Sequence, residues 1–253
     1  MNKNISSEAD ISKYYNKEDF DNRMGLYDML KNSSIPEEEI MNNIGLFIDR
    51  RILSRFLFIQ EMYEQIVPIH GSIFEFGVRY GQNLSLFTSL RGIHEPYNYN
   101  RKIVGFDTWE GFPDVHDKDD KAMWKKGDFA VPSGYEKFLD AVLLKHEEMA
   151  PIENIKKFEL VKGDATQTIS EYLKAHQETI ISLAYFDFDI YKPTKECLES
   201  ILPYLSKGAI IGFDEINVPE WPGETAAMRE VLGSNFKIIH SKYRANAGYI
   251  IYE

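Results

Sequence analysis

The sequence is almost without cysteine: Cys197 is the single one in 253 residues. One cysteine excludes an intramolecular disulfide and favours a reducing compartment. Cys197 lies within an apolar pattern of helical spacing, and this predicts a buried structural thiol rather than a nucleophile.

Long hydrophobic runs and an excess of basic residues are also missing. The first ten residues are polar, and no apolar stretch approaches the roughly 20 residues of a membrane span. We therefore expect a cytoplasmic protein with no membrane partner. Acids outnumber lysine and arginine by 40 to 29, giving a net charge of −11. This charge argues against a nucleic-acid partner, because binding to phosphate backbones needs a basic face.

The sequence also lacks two nucleotide-binding fingerprints. A glycine turn, Gly77 to Gly81, follows a buried strand, but its spacing is not Gly-x-Gly-x-x-Gly, and no Walker-type lysine and serine or threonine follow it. Hydride transfer and nucleotide hydrolysis are therefore both disfavoured.

Hydrophobic periodicity divides the chain into two parts. Residues 1–68 have helical spacing, with an amphipathic helix that runs from about Ile44 to Ile66 and a break expected near Gly45. Residues 69–253 alternate short apolar strands with helices, a pattern typical of a doubly wound, mostly parallel α/β sheet. The last two predicted strands are joined too closely for a helical crossover, so they should pair antiparallel. Residues 114–133 have no clear periodicity and are predicted to form a lid-like insertion.

Carboxylates follow five of the predicted strands at the point where each strand ends. In an open parallel sheet, ligands bind beyond the carboxyl ends of the strands. The pattern therefore predicts one polar site assembled from several strands, and its members are Glu75, Asp107, Asp164, Asp187, Asp189, Asp214 and Glu215.

The first three strand ends suit an adenosine-containing cofactor. Gly77 and Gly81 would let a ligand approach the backbone, Asp107 can accept both hydroxyls of a ribose, and Asp164 can accept from an adenine amino group. Tight packing at the glycines and helix capping by the aspartates are the alternatives for each feature taken singly.

Taken together, these motifs resemble class I S-adenosylmethionine-dependent methyltransferases. More narrowly, the chain looks like the macrocin (tylosin-type) O-methyltransferases, whose members methylate sugar hydroxyls in macrolide and aminocoumarin antibiotics. The resemblance covers roughly residues 71–253. It rests on Glu75-x-Gly77-x-x-x-Gly81, Asp107-Thr108-Trp109-Glu110-Gly111-Phe112-Pro113, Gly163-Asp164, Asp187-x-Asp189-x-Tyr191 and Asp214-Glu215.

The resemblance implies a Rossmann-like seven-stranded sheet of order 3-2-1-4-5-7-6 with strand 7 antiparallel. It implies S-adenosylmethionine as cofactor, one Mg²⁺ held by Asp187, Asp214 and Glu215, and Asp189 as general base. The family usually has two aspartates where this chain has Asp214-Glu215. The residues that the resemblance assigns to the cofactor are Glu75, Gly77, Gly81, Asp107, Thr108, Asp164 and Asp187.

The chemistry fits these residue types. A sugar hydroxyl is very weakly acidic, and Mg²⁺, which prefers carboxylate oxygens, lowers the pKa of a bound hydroxyl and fixes its position. Helix capping is the alternative role for Asp187 and Asp189. A catechol-type metal-dependent O-methyltransferase and a sugar-tailoring protein that binds without methyl transfer are the rival functions. The substrate is expected to be a small sugar-bearing molecule, and the apolar N-terminal helix is compatible with a dimer contact.

Overall fold

The computed structural model describes residues 17–119 and 124–253. The first sixteen residues of the predicted helical extension and residues 120–123 of the predicted insertion lie outside the described part. The helices are α1 Lys17–Lys31, α2 Glu37–Ile40, α3 Arg50–Ile66, α4 Gln82–His94, α5 Tyr135–Glu148, α6 Ala165–Ala175, α7 Tyr191–Ile201 and α8 Pro222–Leu232, with 3₁₀ turns at Met41–Phe47 and Leu202–Tyr204.

Seven strands form one sheet: β1 Ser72–Phe76, β2 Ile103–Asp107, β3 Phe158–Lys162, β4 Ile181–Phe186, β5 Leu205–Phe213, β6 Ile238–His240 and β7 Gly248–Ile251. Their order is β3-β2-β1-β4-β5-β7-β6. The first five strands are parallel, and β7 is antiparallel to both of its neighbours. The predicted fold class, strand order and final antiparallel pair are confirmed.

Helices cover both faces of this sheet, because successive residues of a buried strand point to opposite faces. On β1, Ile73 belongs to the core formed with α3, α4 and α5, whereas Phe74 and Phe76 belong to the core formed with α6, α7 and α8. Cys197 of α7 is fully buried in the second core, as its apolar surroundings predicted.

The long N-terminal helix is interrupted slightly later than predicted. The 3₁₀ turn includes Gly45, and the break falls at Ile48 and Asp49. Asp49 then starts α3 by accepting hydrogen bonds from the backbone N–H groups of Arg51 and Ile52. A carboxylate at this N-cap position satisfies backbone donors that the first helical turn leaves unpaired, and the α-helix therefore begins at this residue.

Strand β5 also begins earlier than predicted, at Leu205 instead of Ala209. Its register with β4 shifts between the pairs Ile181↔Leu205 and Leu183↔Ile210. Gly208, with a φ of +88°, lies in this irregular part. The bulge interrupts the alternation of apolar and polar residues from which strands are predicted.

Within the described residues, no helix is long and apolar enough to cross a membrane.

Candidate active site

The carboxyl ends of five parallel strands are joined edge to edge by backbone hydrogen bonds. In each contact a backbone N–H just after one strand donates to a carbonyl at the end of its neighbour, with N···O distances of 2.8–3.0 Å. The donor and acceptor pairs are Gly163 and Asp107, Gly77 and Phe106, Asp187 and Phe76, and Asp214 and Phe186. This sequence of contacts follows the strand order β3, β2, β1, β4, β5. The predicted site residues therefore lie along one edge of the sheet.

Asp107 ends β2 with both carboxylate oxygens anchored by backbone. Oδ2 accepts from Arg79 N–H at 2.7 Å, and Oδ1 accepts from Trp109 N–H at 2.5 Å. Burial raises the pKa of Asp107, and the backbone N–H groups partly offset this. The backbone N–H of Val78 adds a third donor to this carboxylate, and the side chain lines the cavity described below.

The two glycines of the first turn are explained by close packing. Gly77 has a φ of +91°, and a Cβ there would come within 2.0 Å of the carbonyl oxygen of Asp187. Gly81 is the N-cap of α4 with a φ of +78°, and a Cβ there would meet the side chain of Leu139 at 2.3 Å. Gly77 also lines the cavity, so close packing and ligand approach are compatible at that residue.

The other residues predicted to contact the cofactor have local partners. Asp164 caps α6 through the backbone N–H of Thr166 at 3.0 Å, which is the capping role considered from sequence. Thr108 accepts Glu110 N–H and donates to the carbonyl of Gly111, and so it shapes the loop after β2. Asp164 and Thr108 line the cavity.

Glu75 lies behind the cavity wall. It is 1% exposed and accepts from Asn83 Nδ2 at 3.0 Å, and Asn83 is the member of this pair that lines the cavity. Burial and then the charge of Asp187 raise the pKa of Glu75 well above the ordinary carboxyl range.

The acids after β4 and β5 form two overlapping clusters. Asp187, Asp214 and Glu215 offer one carboxylate oxygen each, all within 4.8 Å of one another, and this is the predicted metal set. Asp189, Glu215 and Glu224 form a second set with the same spacing. Glu215 belongs to both sets. Its buried Oε2 has no hydrogen-bond partner among the described residues.

Asp214 is neutralised by two arginines that the sequence pattern did not indicate. Arg244 contacts it with both Nη atoms at 2.5 and 2.9 Å, Arg55 donates from Nη2 at 2.8 Å, and Tyr185 donates its hydroxyl. Burial opposes ionisation, but the two guanidinium charges hold the pKa of Asp214 well below its usual range. Arg55 Nη1 also donates to Asp187 at 2.9 Å.

Asp189 occupies a strained position beside these groups. Its φ of +65° lies in the left-handed region, which costs a non-glycine residue free energy. Its backbone N–H and that of Phe188 donate to Glu224 Oε1 at 3.1 and 3.0 Å. Burial and then the charge of Asp187 raise the pKa of Asp189 well above the ordinary range. The N-cap position of α7 is taken by Ile190, so the capping role considered for the two aspartates is not the one observed.

A cavity of about 750 Å³ opens above this edge of the sheet. Asp107, Asp164, Asp187 and Asp189 all line it. The walls come from α3, the loop after β2 and the loop between β6 and β7. Six arginines contribute to the lining: Arg23, Arg50, Arg51, Arg55, Arg79 and Arg244.

The described part of the predicted insertion packs beside the cavity. Phe112, Trp124 and Ile190 form a small core with the half-buried Phe129 and Trp221, and the Trp124 and Trp221 rings stack at 3.8 Å. Phe112 and Phe129 line the cavity. A lid role for residues 114–133 stays a prediction.

The comparisons with known proteins agree with this geometry. Residues 74–216 match a family model described as a methyltransferase domain. This chain belongs to the methyltransferase family. It is an S-adenosylmethionine-dependent O-methyltransferase, as the strand-end motifs indicated.

Two solved structures are similar to this methyltransferase over nearly its whole length. The calicheamicin methyltransferase CalS11 is 41% identical, with a TM-score of 0.91 over 98% of this chain and 99% of that chain. An apo structure of CalS11, described as a TDP-rhamnose 3′-O-methyltransferase of calicheamicin biosynthesis, gives 40% identity and a TM-score of 0.83, covering 94% and 96% of the two chains.

A more distant likeness concerns the fold alone. The O-methyltransferase NovP is 16% identical, with a TM-score of 0.58 over 79% of each chain. The search of curated protein sequences gave no significant match.

Proposed function

We propose that this methyltransferase transfers a methyl group to a hydroxyl of a deoxysugar carried by a nucleotide, with Mg²⁺ at the acids after β4 and β5. The observation that carries the proposal is the 41% identity, across almost the entire chain, to an enzyme described as a TDP-rhamnose 3′-O-methyltransferase. The acids at the strand ends supply groups suited to that chemistry.

The cofactor half of the cavity would lie between Asp107 and Asp187. S-adenosylmethionine, when bound, supplies a methyl sulfonium that reacts by in-line displacement. Asp107 would accept from the ribose hydroxyls, and the backbone at Gly77 would allow close approach of the methionine part. Asp164 Oδ2, which takes no part in the cap of α6, would accept from the adenine amino group.

Asp189 is our candidate for the general base. It lines the cavity beside Asp187, and its raised pKa makes its ionised form a stronger base than an ordinary carboxylate. Glu224 fixes the backbone at Asp189 and at Phe188 before it, because it accepts hydrogen bonds from the N–H groups of both residues. The carboxylate would therefore be held in one orientation toward an acceptor hydroxyl.

The cluster of Asp187, Asp214 and Glu215 fits a divalent cation in donor type and spacing. Three carboxylates with ligand atoms within 4.8 Å offer the hard oxygen donors that Mg²⁺ takes, and the buried Oε2 of Glu215 is still without a partner among the described residues. When bound, the ion would lower the pKa of the acceptor hydroxyl and orient it.

The arginines on the α3 side of the cavity support an acceptor that carries phosphate. Arg23, Arg50 and Arg51 line this wall, in a protein whose net charge is −11, and Arg23 and Arg51 also pair with Asp49 and Asp19. Guanidinium groups bind phosphate oxygens through paired, charge-assisted hydrogen bonds. A nucleotide-linked sugar would use this wall, whereas a neutral glycoside would not.

The proposal is tested by methyl transfer from S-adenosylmethionine to a panel of acceptors. We expect turnover with a TDP-deoxyhexose, much weaker turnover with the methyl glycoside of the same sugar, and none with a catechol. Arg50→Gln should raise KM for the TDP-sugar and leave KM for the glycoside unchanged. Turnover on catechol alone would replace the proposal by the phenolic alternative, and a protein that binds S-adenosylhomocysteine but methylates no sugar would contradict it.

A further inference from the structure

Arg55 forms ion pairs with two of the three acids of the proposed cation site. Its Nη1 donates to Asp187 Oδ2 at 2.9 Å, and its Nη2 donates to Asp214 Oδ2 at 2.8 Å. These are the distances of strong, charge-assisted hydrogen bonds. One guanidinium therefore bridges the carboxylates after β4 and β5, which is the bridging that a divalent cation would provide.

The helix that carries Arg55 is fixed in place. One to two turns further along α3, Phe58, Ile59 and Met62 are fully buried against the sheet. Met62 packs so closely on β5 that a Cβ at Gly212 would lie 2.6 Å from its sulfur. Because the backbone of α3 is held by this packing, Arg55 can leave the acids only by rotation of its side chain.

Asp214 has little capacity left for another ligand while Arg55 is in place. Oδ1 accepts from Arg244 Nη1 and the Tyr185 hydroxyl, and Oδ2 accepts from Arg244 Nη2 and Arg55 Nη2. A carboxylate has about four lone-pair sites, and all four have a donor. Loss of the Arg55 contacts would free one site on Asp214 and one on Asp187.

We propose that Arg55 is a built-in counter-ion that competes with the divalent cation for Asp187 and Asp214, so that metal binding requires its guanidinium to rotate away. The inference rests on the proposed function in naming the same carboxylates as the metal site. Its physical basis is that several acids packed this closely repel one another unless a cation lies among them. The guanidinium satisfies this need without metal, and for this reason the metal-free site can stay folded.

The direct test is calorimetric titration of Mn²⁺ or Mg²⁺ into the protein with S-adenosylhomocysteine present. Arg55→Gln should bind the metal on the order of tenfold more tightly than the wild type, the scale of coupling between two mutually exclusive ligands. Arg50→Gln is the matched control, since it removes the same charge from the same helix without touching these acids. Its affinity should stay within about twofold of the wild type, because exposed charges are largely screened by salt.

A second measurement uses the wild-type protein and does not depend on a variant that folds. Arginine-selective ¹⁵N NMR should detect the Arg55 guanidinium as slowly rotating in metal-free protein and freely rotating once Mg²⁺ is added.

Arg55→Lys, which keeps the charge but cannot bridge both carboxylates, should have an intermediate metal affinity.

The outcomes separate this inference from the proposed function. Equal metal affinity in the wild type, Arg55→Gln and Arg50→Gln, or an Arg55 signal that metal leaves unchanged, would overturn it. Metal binding to Arg55→Gln but not to the wild type would support it, while contradicting the proposed Mg²⁺ dependence. Normal sugar methylation with unchanged metal affinity in Arg55→Gln would reject the inference and keep the function.

Discussion

Asp189 is the residue on which the proposed chemistry of methyl transfer depends. As a general base it acts only in the chemical step, so Asp189→Asn should lower kcat by about 10²–10⁴. Because Asp189 is not among the residues proposed to bind the cofactor, affinity for S-adenosylhomocysteine should be unchanged. Single-turnover kinetics and calorimetry measure the two quantities. A variant with wild-type kcat would remove Asp189 from the reaction.

Asp107 gives the corresponding test for the cofactor. Loss of its carboxylate leaves two ribose hydroxyls without a charged acceptor, at about 1.5–3 kcal/mol for each hydrogen bond. Asp107→Ala should therefore weaken S-adenosylhomocysteine binding at least about tenfold. Asp140→Ala on the exposed side of α5, where Asp140 pairs with Lys156, is the control and should bind normally. Equal affinities of the two variants would be incompatible with the ribose contact.

Sequence patterns predicted the acids of the site but not the cations beside them. Asp187, Asp214 and Glu215 follow apolar runs, and strand ends meet at one edge of a parallel sheet, so their proximity was predictable. Arg55 is 159 residues away from Asp214 along the chain, and their contact depends on how α3 packs across the sheet. The detectable signal was a single arginine among the apolar positions of an amphipathic helix.

At the scale of elements, α3 and β5 should be energetically coupled through Gly212. A Cβ there would lie 2.6 Å from Met62 Sδ and 2.9 Å from Tyr185 Cδ2. Overpacking of this kind costs about 1–3 kcal/mol, so Gly212→Ala should lower the free energy of unfolding by that amount. Urea denaturation measures it. Gly92→Ala in α4, where a Cβ meets nothing within 4 Å, should be neutral or stabilising; equal loss in both variants would contradict the packing argument.

A second element-scale prediction concerns the contact between the insertion and helices α7 and α8. Hydrogen bonds from Lys118, Lys195 and Tyr191 lower the pKa of Glu230 to about 2. A carboxyl whose pKa is lower in the folded protein stabilises it above the unfolded value, and this contribution is lost as pH falls toward the folded value. The stability difference between the wild type and Glu230→Gln should therefore be largest near neutral pH and shrink from about pH 4.5 toward pH 2.

Urea denaturation across that pH range measures the difference directly. Glu171→Gln, an exposed glutamate of α6, is the control and should give a nearly constant difference. A constant difference for Glu230→Gln as well would mean that these contacts do not contribute to folding.

The elements differed in how well the sequence predicted them. Strands β1 and β4 are short, mostly apolar runs that end at Gly77 and Asp187, and their predicted ends are within a residue of the observed ones. The insertion has no such pattern, because its structure depends on aromatic contacts with Trp221, far along the chain. Hydrophobic periodicity reveals which face of a helix or strand is buried in the core. It gives no information about aromatic contacts between residues far apart in the sequence.

For the whole molecule, the sheet order was predictable from the resemblance, but the number of arginines around the site was not. The net charge of −11 gave no indication of a basic cavity wall, yet six arginines line the cavity. Average charge does not describe a cavity whose walls come from α3 and from the loop between β6 and β7, two regions that lie at opposite ends of the chain.

The most direct test of the central claim is methylation of a TDP-deoxyhexose, followed by mass spectrometry, before and after exhaustive chelation of the wild-type enzyme. We expect one added methyl group on a sugar hydroxyl, loss of turnover on chelation, and recovery when Mg²⁺ is restored. Asp214→Ala should reproduce the chelated state while keeping affinity for S-adenosylhomocysteine. Full turnover by the chelated enzyme would contradict the metal assignment, and an unmodified sugar under all conditions would contradict the proposed function.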